Sequence, residues 1–296
     1  MADVLSIDFE TKSQADLKRV GAAVYAKHPT TKILCMSWAF NDEPVATWRP
    51  GQIFPARIWR HVEQGGIVRG WNVAFEFWIW NERLLTHMLA LAGRRYPALK
   101  IAQLRDTMAQ AAYWGLPMGL GDAAPAAGVQ VLKDKAGHAL MLQMCRPRQI
   151  KKDGTVVWWD ETDPAKYDRL CDYCEQDVRT ERAIADRLPP LPDDEQDTWE
   201  LDFQINVRGV RVDTYLVSRL EKLVAESRVR LTAQLIQLTN GQVTGLNKVK
   251  EFLAWLKFVG YPHDDLKKTT IAERLKDPAC RGLERRGLLL RRESAR

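Results

Sequence analysis

The residues best suited to chemistry are carboxylates drawn from separate parts of the chain. Asp8 and Glu10 stand two positions apart at the end of the apolar run Val4-Leu5-Ser6-Ile7. In a strand, side chains at i and i+2 share a face. Two carboxylates there repel each other, and each resists leaving water. A divalent cation reverses that penalty. Mg²⁺ is held by one or two carboxylates together with phosphate oxygens of a substrate, and two ions about 4 Å apart can clamp the attacking and leaving oxygens of a phosphodiester. Such a site needs further carboxylates. Glu76, in Asn72-Val73-Ala74-Phe75-Glu76, sits at a loop-to-helix junction and is one candidate. Asp177, in Tyr173-Cys174-Glu175-Gln176-Asp177, is another. Tyr173 lies four residues before Asp177 and shares its helix face, where a tyrosine can orient a water nucleophile.

These residues need strands and helices in alternation to hold them. The stretches 4–11, 33–40, 45–49 and 67–72 read as strands bounded by turn residues. Residues 58–64, 74–93, 135–145 and 164–188 carry helical apolar spacing. Asp106 reads as the N-cap of a helix that stops at Gly115. Between them, 146–164 is a polar loop with a hairpin expected at "KDGTVVWW" (152–159). The prolines of "LPPLPDD" (188–194) mark a boundary, because proline ends a helix and stiffens a connection. Beyond it the pattern is helical, with a break at 206–213 and long helices over 214–241 and 248–260. The expected layout is an α/β domain over 1–190 and an all-α segment over 191–296.

Other constellations read more plainly. "CDYC" (171–174) has no second cysteine pair and fits one helical turn better than half a zinc site. "PHDDLKK" (262–268) lacks flanking strands and reads as the start of a helix.

Across 296 residues, 46% are hydrophobic and 28% charged, as in a folded globular protein. No apolar run approaches the roughly 20 residues of a membrane span. The acidic N-terminus lacks the basic region of a secretory signal, and five scattered cysteines suit a reducing interior. A cytoplasmic protein with no membrane partner is expected. The net charge of +6 is unevenly spread. Residues 208–296 carry 19 Lys and Arg against 10 Asp and Glu, whereas residues 1–207 carry 25 against 28. A basic tail on a near-neutral front suits a polyanion such as nucleic acid.

"SIDFET", "NVAFE" and "YCEQD", in that order, resemble the three exonuclease motifs of the DEDD superfamily. Tyrosine four before the last aspartate resembles its tyrosine subclass; the histidine subclass would have His where this chain has Asp172. "INVRGVRVD" resembles the exonuclease-to-polymerase junction of family A DNA polymerases, and "LLLRRESAR" the base of their thumb, most closely in phage versions. The resemblance implies a ribonuclease H-like mixed sheet flanked by helices, followed by the start of a helical thumb with palm and fingers absent. It implies a 3′→5′ exonuclease that proofreads DNA, releases 5′ mononucleotides and depends on two Mg²⁺ or Mn²⁺ ions. Asp8, Glu10 and Asp177 would hold one ion. Asp8 would bridge to the second, supported by Glu76. Tyr173 would orient the attacking water, and Asn72 and Phe75 would shape the terminal nucleotide's pocket. The implied partners are a single-stranded 3′ end, a primer-template duplex and the palm and fingers region, and a phage-encoded protein would sit in host cytoplasm. One position departs from the pattern: Glu76 stands where the superfamily has Asp. No aspartate lies between Asp42 and Asp106 to take its place. Two other functions fit the same residues, an RNA-directed enzyme similar to ribonuclease D and a DNA-binding module whose nuclease site Glu76 has weakened.

Overall fold

The computed structural model describes residues 3–93, 95–131 and 134–294. The chain divides into two compact units, Met1–Gly209 and Val210–Arg296.

The first unit is built on a mixed five-stranded sheet in the order β3-β2-β1-β4-β5. Its strands are β1 (Val4–Lys12), β2 (Lys32–Phe40), β3 (Ala46–Trp48), β4 (Ile67–Gly70) and β5 (Leu104–Asp106). β1, in the centre, runs antiparallel to β2 and parallel to β4. Leu5, Ile7 and Phe9 are all but inaccessible, because helices cover the sheet. The pairing of β1 with β2 slips between Glu10 and Thr11, a bulge beside the candidate carboxylates.

The helices of this unit are α1 (Leu17–Lys27), α2 (Ala56–Glu63), α3 (Ala74–Ile79), α4 (Leu85–Ala92), α5 (Thr107–Tyr113), α6 (Leu120–Ala126), α7 (Lys135–Met144), α8 (Pro164–Arg187) and α9 (Asp193–Arg208). A wide π turn over Trp80–Leu84 joins α3 to α4. The expected strands over 4–11, 33–40, 45–49 and 67–72, the helices over 58–64, 74–93, 135–145 and 164–188, and the Asp106 cap are all present. So is the hairpin, as β6 (Gln149–Ile150) and β7 (Val156–Val157). Three elements carried too little pattern to be read: α1, the three-residue β5 and α6.

The proline-rich joint ends α8 but does not end the unit. α9 beyond it packs on the same core. Phe203 is 6% exposed and meets Phe77 edge-on at 5.1 Å, and the Gln196 side-chain amide donates to the Leu104 carbonyl at 3.2 Å. The division therefore falls at Gly209, whose φ of 69° turns the chain out of α9, and not near residue 190.

The second unit is all-α: α10 (Thr214–Leu238), α11 (Val249–Phe258), α12 (Lys268–Arg274) and α13 (Gly282–Ser294). Leu235, Phe252, Trp255, Leu256, Tyr261 and Leu288 form its core. Gly287 lets α13 close on α11, since a Cβ there would come within 2.6 Å of the Trp255 ring. The "GLLL" run is thus covered within its own unit at Leu288, while α10 leaves Leu220, Leu223, Val224 and Val229 exposed. Among the described residues no helix is long and apolar enough to cross a membrane.

Candidate active site

α8 explains how Tyr173 and Asp177 come to face the sheet. Pro164 opens it with a pre-set φ, and the Asp163 carboxylate caps it by accepting from the Lys166 N–H at 3.2 Å. Its buried stripe runs Leu170, Tyr173, Cys174, Asp177, Val178, Glu181 and Ile184, the spacing of one helix face. That face lies on β1 and β2, so Tyr173 and Cys174 come up beside Asp8 and Glu10. The Cys174 thiol donates to the Asp8 carboxylate at 3.2 Å.

Glu76 arrives from the other side, on the first turn of α3. Gly70 makes the approach possible: a Cβ there would sit 3.0 Å from the Ile7 carbonyl and 3.7 Å from Glu76 Cγ. Asn72 turns the chain between β4 and α3 with φ of 62°, a conformation asparagine tolerates. Its N–H donates to the Asp106 carboxylate at 3.1 Å. Asp106 thus does more than cap α5 through Met108 at 2.9 Å; it also pins the turn that leads to Glu76.

Asp8, Glu10, Glu76, Tyr173 and Asp177 line one cleft of about 430 Å³, with Asn72 and Phe75 on its wall. Every residue expected at the site from the sequence is brought there. Tyr25, His138, Trp71, Leu120 and Arg146 line it too, without a motif to announce them.

The electrostatics are those of crowded negative charge. Burial pushes the Glu76 carboxyl well above its ordinary range, and the Asp8 charge adds to that. The Tyr173 hydroxyl is also raised, first by burial and then by the charges of Asp177, Glu10 and Asp8. A tyrosine so disposed keeps its proton and acts by hydrogen bonding. Asp106 is raised to about 6, chiefly by burial.

The donor set is hard carboxylate oxygen, as Mg²⁺ or Mn²⁺ requires. Glu76 Oε2 is buried and meets no hydrogen-bond donor among the described residues, which suits a bound cation. As they stand, no three His, Cys, Asp or Glu side chains among the described residues form a group that could hold a metal ion. The donor chemistry alone fits such a cation.

No protein-family model matches the chain. It is similar to the DNA polymerase of Bacillus phage SP02, with 32% identity over 300 residues. That similarity takes in 99% of this chain and 44% of the polymerase, so the chain spans less than half of its relative's length.

Proposed function

We propose that the first unit is a metal-dependent 3′→5′ exonuclease acting on DNA, the proofreading part of a phage-type family A polymerase. The observation that carries this reading is the convergence of Asp8, Glu10, Glu76, Tyr173 and Asp177, from β1, α3 and α8, in a single cleft. The relation to a phage DNA polymerase supports DNA as the substrate. Two divalent cations, Mg²⁺ or Mn²⁺, held by Asp8, Glu10, Asp177 and Glu76, would neutralise charge at the phosphodiester and ease deprotonation of the attacking water. The chain's own residues do the positioning. Tyr173 keeps its proton and offers a directed hydroxyl to that water. Phe75 and Asn72 confine the terminal nucleotide. Glu76, one methylene longer than Asp, reaches the same space from α3. The second unit, which holds most of the basic excess, serves as the start of a thumb that grips primer-template duplex through phosphate contacts.

The test is incubation of the full chain with 5′-labelled single-stranded DNA, 3′-recessed duplex and RNA, in Mg²⁺, Mn²⁺ or chelator. Stepwise shortening of DNA from the 3′ end, only with metal, is the expected result. Shortening of RNA in preference to DNA would move the reading to a ribonuclease D-like enzyme. Absence of digestion with every metal would leave DNA binding alone.

A further inference from the structure

α7 is held against α8 at one point with unusual closeness. Gly137 packs on Tyr173 so tightly that a Cβ would fall 2.5 Å from the ring's Cδ2 and 2.9 Å from its Cβ. Asp134 caps α7 by accepting from the Gly137 N–H at 2.9 Å and pairs with Arg169 of α8. Met144, Leu170 and Tyr173 share a small core with Leu140 and Met141. The next residue after Gly137 is His138, which is exposed in the cleft beside the carboxylates. Its Nδ1 stands 3.4 Å from the Tyr173 hydroxyl oxygen.

A phenol has one proton to donate and can accept as well. Tyr173 directs its proton to the Asp177 carboxylate. With that proton engaged, the contact with His138 is satisfied by the tautomer that carries its proton on Nδ1, the imidazole donating to the phenol oxygen.

We propose that His138 is a positioning residue of this site: it anchors the Tyr173 oxygen from the α7 side, so the hydroxyl proton can turn toward a water nucleophile without the ring shifting. The proposal rests on the exonuclease reading above. It accounts for a polar residue in the cleft that no exonuclease motif contains, and for a glycine where any side chain would lift α7 away from Tyr173.

The experiment compares single-turnover digestion of 5′-labelled single-stranded DNA in Mg²⁺ by the parent, Asp8→Ala, His138→Ala, His138→Asn, and His138→Ala combined with Tyr173→Phe. A net hydrogen bond in such a role is worth on the order of a 10-fold change in rate. His138→Ala should lose that much in the maximal single-turnover rate with half-saturation kept, and His138→Asn should recover most of it, since Asn can place an N–H near the Nδ1 position. In the Tyr173→Phe background the His138 substitution should cost nothing more. A second readout needs no activity. In chelator, imidazole ¹⁵N spectra of the parent should show His138 protonated on Nδ1, and Tyr173→Phe should shift that resonance. Asp8→Ala digesting at the parental rate would bring down the nuclease reading. Asp8→Ala inactive with His138→Ala at the parental rate, or equally damaging without the tyrosine hydroxyl, would overturn the inference alone. An unchanged His138 spectrum in Tyr173→Phe would also overturn it.

Discussion

The two units bury carboxylates in opposite ways. In the helical unit, Glu284 is 5% exposed, and Arg274 meets it with two hydrogen bonds of 2.7 and 3.0 Å. Its charge is matched on the spot, as a structural ion pair requires. In the α/β unit, Glu76 is 2% exposed, and the charges that bear most on it are Asp8 and Asp106, both of its own sign. Glu181, also in the α/β unit, stands between the two: Arg69 is 3.2 Å from it and the Thr107 hydroxyl donates to it, yet its Oε2 meets no partner among the described residues and burial raises its carboxyl. A matched buried charge holds the fold. A crowd of like charges costs stability and persists where something else uses it.

The sharpest break of that comparison is removal of single carboxylates from the crowd. Asp8→Ala and Asp177→Ala should each cut digestion of single-stranded DNA by on the order of 10³-fold. Neither should lower the denaturation midpoint, because each relieves repulsion. Glu76→Asp should retain measurable activity where Glu76→Ala does not. Parental rates in either Asp variant would place the chemistry elsewhere, and loss of fold would mean the carboxylates are structural after all.

Next in size is the boundary between the units. Phe203 lies beyond the proline-rich joint yet belongs to the α/β core, so Phe203→Ala should destabilise that unit by about 3–5 kcal/mol. A chain cut after Gly209 should stay folded and digest short single strands. One cut after Pro192 should be markedly less stable, since it loses the α9 face. Equal stability of the two fragments would return the boundary to residue 190.

The site was legible because its chemistry is concentrated in short motifs. Asp8/Glu10 and Tyr173/Asp177 have spacings that fix a shared face in a strand or a helix before any tertiary contact is known. β1 to β4 and α8 were legible for the same reason, through apolar period. What stayed hidden depended on distant contacts. β5 is three residues long and owes its existence to pairing with β4. α9 has acidic residues at its start and reads as part of the all-α segment until Phe77 is placed against Phe203. His138 has no spacing relation to Tyr173; only the packing of Gly137 brings them together. The cap role of Asp106 was readable locally, but its bond to the Asn72 N–H joins segments far apart in sequence.

Asp106 gives a smaller, pH-dependent contrast. Its folded value of about 6 lies above the ordinary 3.8, so the native state binds the proton more strongly than the unfolded chain. The stability this contributes is complete below about pH 4 and lost as pH rises through 6, an effect of up to about 3 kcal/mol. Asp106→Asn keeps an oxygen acceptor for Met108 and Asn72 and removes the charge. It should be more stable than the parent at pH 8, with the gain shrinking toward pH 5. Denaturant unfolding across that range measures it. A gain independent of pH would mean the carboxylate's charge is not what burial penalises.

The smallest effect is expected on the outward face of α10. Leu223 is 58% exposed, whereas Leu235 on the same helix is 3% exposed and part of the helical core. Leu223→Gln keeps a good helix former and takes away no buried contact. Denaturant unfolding should therefore find the variant within about 0.5 kcal/mol of the parent. It should also leave digestion of short single strands untouched, because the candidate carboxylates all lie in the α/β unit. A loss approaching the 2–5 kcal/mol typical of a buried leucine would show that this face is covered in solution. The helical unit would then hold its apolar surface as firmly as the α/β unit does, and the contrast between the two would rest on their buried charges alone.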